Sequence, residues 1–186
     1  MKVVVAVTGA SGGVYARKCL EQLLLSAEVE QVALIVSDMA QQVLAFEGVE
    51  LPKDDRIVPY ANDDMFAPAA SGSAGYDAMV VVPASMGSVG RMASGVSSSL
   101  IERAADVMLK ERRKLIVVVR ETPYSLIHLR NMTTLTEAGA IILPASPSFY
   151  SNPATIEEAV DTVVERIMAH TGVEAPHYEF SGCEGK

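Results

Sequence analysis

The chain has 186 residues, of which 49% are hydrophobic, and this length suffices for one domain with a complete core. Its formal net charge of −8 excludes a general nucleic-acid-binding surface, because neutralising phosphates requires clustered Lys and Arg side chains. Two cysteines are too few for a disulfide framework, and neither has metal-ligand spacing, so we expect a reducing, cytoplasmic environment.

Short apolar runs rich in β-branched residues alternate along the chain with segments of helical periodicity. Such runs are typical of strands buried on both faces of a parallel sheet, and the alternation predicts an α/β three-layer sandwich with a Rossmann-like or flavodoxin-like sheet. The predicted strands are Val3 to Val7, Val32 to Val36, Met79 to Val82, Leu115 to Val119 and Ala140 to Leu143. The predicted helices are Val14 to Leu25, Met39 to Phe46, Leu100 to Leu109, Leu126 to Ala138 and Ile156 to His170.

The segment from Gly48 to Asp77 interrupts this alternation. It is rich in Asp, Pro, Ala, Gly and Ser and holds no long periodic run, so we expect a lid, a binding loop or a partner contact.

We interpret residues 1–186 as one domain that is compact to about residue 172 and ends in a loosely held tail at 173–186. The first strand starts too early for a signal peptide, and no apolar run approaches the roughly 20 residues of a membrane span.

A loop of small residues, Thr8-Gly9-Ala10-Ser11-Gly12-Gly13, follows the first strand and opens the first helix. Small residues there let backbone N–H groups approach a phosphate at the positive end of the helix, which predicts a nucleotide-binding loop. Val14 stands where a dinucleotide fingerprint requires its last glycine. A tight turn that binds no ligand is an equally good interpretation of this loop alone.

A second small-residue loop, Pro83-Ala84-Ser85-Met86-Gly87-Ser88, follows the third predicted strand. By the usual winding of parallel sheets it lies beside the first loop, and two adjacent loops favour a phosphorylated cofactor. Ser37, at the end of the second strand, adds a hydroxyl to the same edge. Its neighbour Asp38 has two interpretations, a ribose contact or a helix cap, and capping is the commoner role.

Arg120 and Glu121 end the fourth strand, just before Pro123. An arginine beside a glutamate is most often an ion pair. Near phosphate loops, however, arginine also suits phosphate recognition and glutamate suits proton donation. Tyr150 follows the fifth strand and reaches the same edge, although packing is the commoner role of a lone tyrosine.

The helices carry further polar residues with ordinary structural interpretations. Arg103, Lys110 and Arg166 suit surface ion pairs, and Asp106 has the i, i+4 spacing to pair with Lys110. His128 lies among apolar neighbours, where a structural histidine is commoner than a catalytic base. The histidines lack partners at ligand spacing, so we predict no metal site.

Motifs spread over nearly the whole chain carry a resemblance to a known family. They are Thr8-Gly9-Ala10-Ser11-Gly12, Ala70-Ser71-Gly72-Ser73, Leu100-Ile101-Glu102-Arg103-Ala104-Ala105-Asp106-Val107, Leu109-Lys110-Glu111-Arg112-Arg113, Arg120-Glu121, Ile127-His128-Leu129, Gly139-Ala140, Leu143-Pro144-Ala145 and Phe149-Tyr150. The chain resembles the UbiX family of flavin prenyltransferases, within the homo-oligomeric flavin-containing cysteine decarboxylases.

The resemblance implies a metal-independent transferase. Reduced FMN would accept a dimethylallyl group from dimethylallyl phosphate, first at N5 and then at C6, to give prenylated FMN for a UbiD-type decarboxylase. It also implies a homododecamer built from trimers, with active sites completed by neighbouring subunits.

The resemblance also implies a role for each matching residue. The FMN-binding residues would be Gly9, Ala10, Ser11, Ser37, Ser85, Met86, Gly87, Ser88 and Arg120. The residues that hold the dimethylallyl phosphate would be Tyr150, Arg166, Lys110 and Arg103. The catalytic residues would be Ser11, Glu47 for proton removal during ring closure, and Glu121 for protonation of the departing phosphate.

Two other functions stay open. An FMN-dependent oxidative decarboxylase of a cysteine-containing substrate carries Pro-Ala-Ser-Ala-Asn-Thr, of which this chain matches only Pro83-Ala84-Ser85. That chemistry also leaves the Arg-Glu pair unexplained. A non-catalytic flavin-storing assembly is the second, and the retention of Glu121, Tyr150 and Arg166 argues against it.

Overall fold

Six strands form one sheet in the computed structural model of the protein, which describes residues 1–174. The strands are β1 (Lys2–Val7), β2 (Gln31–Val36), β3 (Ile57–Tyr60), β4 (Ala78–Ala84), β5 (Lys114–Val119) and β6 (Ile141–Pro144). The helices are α1 (Gly13–Leu25), α2 (Asp38–Glu47), α3 (Met86–Ala93), α4 (Leu100–Lys110), α5 (Leu126–Ala138) and α6 (Ile156–Thr171). Most of the predicted tail lies outside the described residues.

The strand order is β3-β2-β1-β4-β5-β6, and every neighbouring pair is parallel. This is the order of a doubly wound Rossmann-type sheet, in which the direction of winding reverses between β1 and β4. All six strands therefore end at one edge, where the loops after β1 and β4 are neighbours. The predicted three-layer α/β architecture is confirmed.

Both faces of the sheet are covered by helices, which explains the nearly unbroken apolar sequence of the strands. Val3 and Val5 pack in the core under α1, α2 and α6, whereas Val4 and Ala6 pack in the core under α3, α4 and α5.

Cys19 of α1 is fully buried, and burial raises the pKa of its thiol to about 12. Across residues 1–174, none of the helices combines the length and apolar character that crossing a bilayer requires.

The sheet has one strand more than the five that the sequence predicts as a minimum. This strand, β3, lies inside the segment from Gly48 to Asp77 and contains Pro59, which cannot donate a ladder hydrogen bond. The proline is tolerated because β3 lies at the edge of the sheet, beside β2. A strand of 4 residues that includes a proline shows no alternating pattern, so periodicity does not reveal it.

Helix α3 is not among the predicted helices, because the sequence at this position is interpreted only as a loop of small residues. Gly87 and Gly90 are weak helix formers, so local propensity hides the helix. Packing against the sheet outweighs that propensity. The buried apolar side chains of α3 are Met86, Val89 and Met92.

Hydrogen bonds tie the second half of the irregular segment to α4 and the turn after it. Arg103 Nε donates to the Ala70 carbonyl at 3.0 Å, and Arg113 Nη2 donates to the Gly72 carbonyl at 2.9 Å. Two short 3₁₀ turns, Pro68–Ala70 and Gly72–Ala74, provide these carbonyls. This part of the segment is therefore fastened to the helix layer.

Candidate functional site

A buried threonine joins the two predicted loops at the carboxyl edge of the sheet. Thr8 is 1% exposed, and its hydroxyl donates to the Pro83 carbonyl at 2.8 Å and accepts from the Ser85 N–H at 2.7 Å. The Thr8 N–H donates to the same carbonyl at 3.2 Å. The loops after β1 and β4 are therefore held side by side, as the sequence predicts.

The N-terminus of α1 holds an anion of the chain itself, the carboxylate of Glu47. The Gly12 N–H donates to Glu47 Oε1 at 2.8 Å, and the Gly13 N–H donates to Oε2 at 2.7 Å. Gly12 has a φ of 108°, a left-handed conformation that favours glycine. Two N–H groups of the loop predicted to bind a nucleotide thus bind a carboxylate, and a phosphate at this helix end would have to displace it.

Several groups stabilise the ionised form of Glu47. Burial alone would raise the pKa of this carboxyl, but hydrogen bonds from Gly12, Ser11 and Gly13 and the positive charge of Arg120 outweigh burial. The pKa is therefore held below its ordinary value. Glu47 is ionised at neutral pH, where it accepts protons and hydrogen bonds but donates none.

Arg120 and Glu121 turn to different partners at the end of β5. Arg120 Nε donates to the Ser11 carbonyl at 3.1 Å, which draws the guanidinium to the first loop. Glu121 Oε1 accepts from the Thr122 N–H at 2.9 Å, and its side chain is partly exposed. Among the ion pairs of residues 1–174, none joins Arg120 to Glu121, so the ion-pair interpretation is wrong.

A cavity of about 510 Å³ opens beside these loops, and the hydroxyl-bearing residues Ser37, Ser85 and Ser88 line it. Gly9 forms part of the wall. A Cβ at Gly9 would lie 2.3 Å from Met39 Cγ, so only glycine lets the loop after β1 lie against α2. A neighbouring cavity of about 740 Å³ extends along α2 towards β3.

Two serines cap the helices that follow their strands. Ser37 Oγ accepts from the Ala40 N–H at 3.2 Å, and Ser85 Oγ accepts from the Ser88 N–H at 3.4 Å. Asp38 is the first residue of α2 and not its cap, so the capping interpretation of Asp38 is wrong. Its side chain lines both cavities.

The basic residues that the resemblance assigns to the donor phosphate do not meet within one chain. Lys110 ends α4 just before β5, at the sheet edge opposite the loops, and the intervening strand spans roughly 20 Å. Lys110 pairs with Glu111, whereas Asp106 pairs with Arg103 at 2.8 Å, which corrects the expected pairing of Asp106 with Lys110. Arg166 is exposed on α6, across the sheet from α4.

Tyr150 and His128 lie outside the cavities. Tyr150 is 74% exposed in the loop after β6, so its role in holding the donor stays a prediction. His128 has a structural role. The His128 Nδ1 accepts from the backbone N–H of Ser125, and the backbone N–H of His128 donates to Ser125 Oγ, both at 3.3 Å. These two bonds cap the N-terminus of α5. In the described part of the chain, no cluster of three or more His, Cys, Asp or Glu side chains is arranged to hold a metal ion.

An ion pair in the cavity wall, between a buried glutamate and a partly exposed arginine, is not indicated by any motif in the sequence. Glu102 is 3% exposed, and its Oε1 accepts from Arg91 Nε at 2.8 Å. The two residues are 11 positions apart, so no helical i, i+4 spacing links them. One pattern in the sequence could have indicated α3, namely the helical spacing of Met86, Val89 and Met92. That pattern would have assigned Arg91 to a helix, although it would not have identified its partner Glu102.

The doubly wound sheet and the loops at its switch point define a nucleotide-binding α/β protein, and residues 1–170 match the family model described as Flavoprotein. Flavin prenyltransferase UbiX of Methanocaldococcus jannaschii is 42% identical over 177 residues, which cover 94% of this chain and 95% of the relative. The chain belongs to the UbiX family of flavin prenyltransferases.

Two solved structures show the same fold throughout. A dodecameric FMN-dependent UbiX-like decarboxylase from Escherichia coli O157:H7 superposes with a TM-score of 0.90 at 35% identity, covering 98% of this chain and 100% of that chain. AnUbiX, solved with FMN and dimethylallyl pyrophosphate, superposes with a TM-score of 0.90 at 40% identity, covering 98% of both chains.

Replacing Glu47 with Gln is expected to lower the free energy of unfolding by about 1–3 kcal/mol at neutral pH, because bonds to a charged acceptor are lost. Since the folded chain depresses the pKa of Glu47, this stabilisation is present above the unfolded pKa, about 4.3, and is lost as pH falls through the folded pKa. Denaturant titrations at decreasing pH should therefore show the difference between wild type and Glu47→Gln shrinking.

The control for this experiment is Glu50→Gln, which changes an exposed glutamate close by. It should leave the unfolding free energy nearly unchanged at every pH. A difference between wild type and Glu47→Gln that stayed constant down to acid pH would contradict the role assigned to the ionised carboxylate.

Proposed function

We propose that this protein transfers a dimethylallyl group from a dimethylallyl phosphate donor to reduced FMN. The observation that carries the proposal is the meeting of Ser11, Glu47 and Arg120 at one crevice, beside a cavity lined with hydroxyls. Membership of the flavin prenyltransferase family and the solved relative with FMN and dimethylallyl pyrophosphate support the same reaction.

The chemistry of the cavity fits a flavin nucleotide. Serine hydroxyls and loop N–H groups donate well to phosphate oxygens, and the crevice lies at the switch point where such sheets bind nucleotides. Reduced FMN supplies the nucleophilic ring atoms that accept the prenyl group. We assign its binding to Gly9, Ala10, Ser11, Ser37, Ser85, Met86, Gly87, Ser88 and Arg120.

The proposed reaction needs two proton transfers, one from the flavin ring and one to the departing phosphate, and a different carboxyl group serves each. Glu47 is ionised at neutral pH because its pKa is held low, so it is able to accept the proton that leaves the ring during ring closure, and the low pKa makes it a weak base. Glu121 adjoins Arg120 at the end of β5 and suits protonation of the departing phosphate. Without a metal, charge that develops on the phosphate must be stabilised by such an acid and by Arg and Lys side chains.

A second copy of the chain would complete the donor site. Arg103 and Lys110 lie on α4, and Lys110 is at the sheet edge away from the loops, so a neighbour has to supply it to this crevice. Large apolar side chains are exposed at Phe66, Ile127 and Phe149, with 100%, 68% and 70% of their surface accessible. We therefore expect a homo-oligomer, a dodecamer built from trimers, in which neighbours contribute to the donor site.

Size-exclusion chromatography with light scattering should show this assembly. Ile127→Asp should reduce the molecular mass and prenyl transfer together, because it places a charge on an exposed apolar surface. Lys53→Asp, which changes an exposed polar residue elsewhere, should alter neither. A monomeric wild type with full transfer activity would contradict shared sites.

The reaction itself has a direct test. Purified protein should bind FMN. When the bound FMN is reduced anaerobically by a chemical reductant in the presence of dimethylallyl phosphate, the protein should release flavin that is heavier by one prenyl unit. Parallel reactions with dimethylallyl diphosphate would identify the preferred donor. The product is expected to activate a UbiD-type decarboxylase. Flavin that stayed unmodified with both donors would defeat the transferase proposal and favour a flavin-storing assembly.

Replacing Glu121 with Gln should slow prenyl transfer by about 10²- to 10⁴-fold, the usual contribution of a positioned general acid. FMN affinity should stay close to that of the wild type, because Gln keeps the shape of the side chain. Glu50→Gln is again the matched control. Unchanged turnover of the Glu121→Gln variant would remove Glu121 from the mechanism.

A further inference from the structure

Arg91 presents a fixed cation to the cavity of about 510 Å³. Its Nη2 donates to Ser88 Oγ at 3.1 Å, and Ser88 is only 4% exposed. The Arg91 side chain itself is 47% exposed, and Arg91 lines the cavity together with Ser37 and Ser85. The guanidinium is therefore anchored on one side and accessible on the other.

A buried carboxylate holds this guanidinium in place. Glu102 Oε1 accepts from Arg91 Nε at 2.8 Å, while its Oε2 accepts from the hydroxyls of Ser98 and Ser99. A buried carboxylate is stable only when it is paired and hydrogen-bonded, and these contacts meet that need. The arrangement fixes Arg91 through its Nε in the wall of the cavity.

One terminal nitrogen of Arg91 remains available. Within residues 1–174, no protein acceptor takes the protons of Arg91 Nη1. This nitrogen lies over Gly87, where a Cβ would be 3.5 Å from it. A Cβ at residue 87 would thus make an ordinary van der Waals contact with the guanidinium of Arg91, and that side chain is 47% exposed.

Charge decides where an anion would lie in this crevice. Glu47 already occupies the N-terminus of α1, and Asp38 lines the cavity at the start of α2, so both positions repel a phosphate. On the α3 side, the hydroxyls of Ser85 and Ser88 converge with the Arg91 guanidinium. Glu102 also lines the cavity, but Arg91 and two serine hydroxyls engage its two oxygens. Among the described residues that line the cavity, Arg91 is the one cation, so attraction for an anion has to come from its guanidinium.

We infer that Arg91, held by Glu102 and Ser88, binds the 5′-phosphate of the flavin nucleotide and makes the site selective for FMN over riboflavin. A guanidinium matches phosphate with parallel N–H donors, and this match is stronger than that of a neutral hydroxyl. The inference rests on the proposed function, since it assigns one part of the acceptor, its phosphate, to one residue.

The experiment compares two variants that share the same neutral partner. Glu102→Gln alone keeps Arg91, whereas Arg91→Met with Glu102→Gln removes the cation without leaving a carboxylate buried and unpaired. Dissociation constants for FMN and for riboflavin are measured by quenching of flavin fluorescence. Circular dichroism confirms that both variants are folded, and Lys53→Ala controls for the loss of one positive charge from the surface.

The double variant should bind FMN about 10- to 100-fold more weakly than Glu102→Gln, the range expected for charge-assisted hydrogen bonds. Riboflavin, which lacks the phosphate, should bind both variants equally. Equal FMN affinities, or equal losses for FMN and riboflavin, would overturn the inference while leaving the transferase proposal intact. A wild type that bound neither flavin would instead contradict the proposed function.

Discussion

The hydroxyl of Thr8 sets the geometry on which the rest of the site depends. By donating to Pro83 and accepting from Ser85, it fixes the separation of two loops whose strands are far apart in sequence. Removing it would leave the Ser85 N–H without its acceptor, and a partly buried backbone donor without a partner is costly, whereas the Pro83 carbonyl would keep the Thr8 N–H. The wall at Gly9 and the wall at Ser88 are both positioned relative to this one side chain, so the crevice has a defined width.

Electrostatics divides the crevice into regions of opposite character. At one end, the positive N-terminus of α1 is neutralised by Glu47, which stays ionised because of the same contacts. At the other end, Arg91 is anchored by the buried carboxylate of Glu102. In the proposed reaction, an acidic protein would therefore bind two phosphorylated substrates with a few positioned cations and without a broad basic surface.

The sequence reveals those parts of the fold and site that follow from local pattern. Strands buried on both faces leave clear apolar runs, and the ends of parallel strands share one edge, so Ser37, Ser85 and Arg120 could be placed there before the structure was known. The strand β3 and the helix α3 are missing from the predicted elements, because a proline interrupts the one and two glycines weaken the local helical propensity of the other. Packing at the sheet edge and in the core outweighs these local preferences. Glu47 contacts residues 34 and 35 positions away, and only the family resemblance pointed to it. No sequence motif includes Arg91, and its partner Glu102 is not at a helical i, i+4 spacing, so their ion pair could not be predicted.

Helix α2 is attached at both of its ends to the loop after β1. Met39 in its first turn lies against Gly9, and Glu47 in its last turn holds the N–H groups of Gly12 and Gly13. Because an α-helix of 10 residues is a stiff rod about 15 Å long, the loop cannot shift without carrying the helix along. The cavity of about 740 Å³ is lined by this same helix, so a molecule that pushed α2 aside there would displace the loop after β1 without contacting that loop.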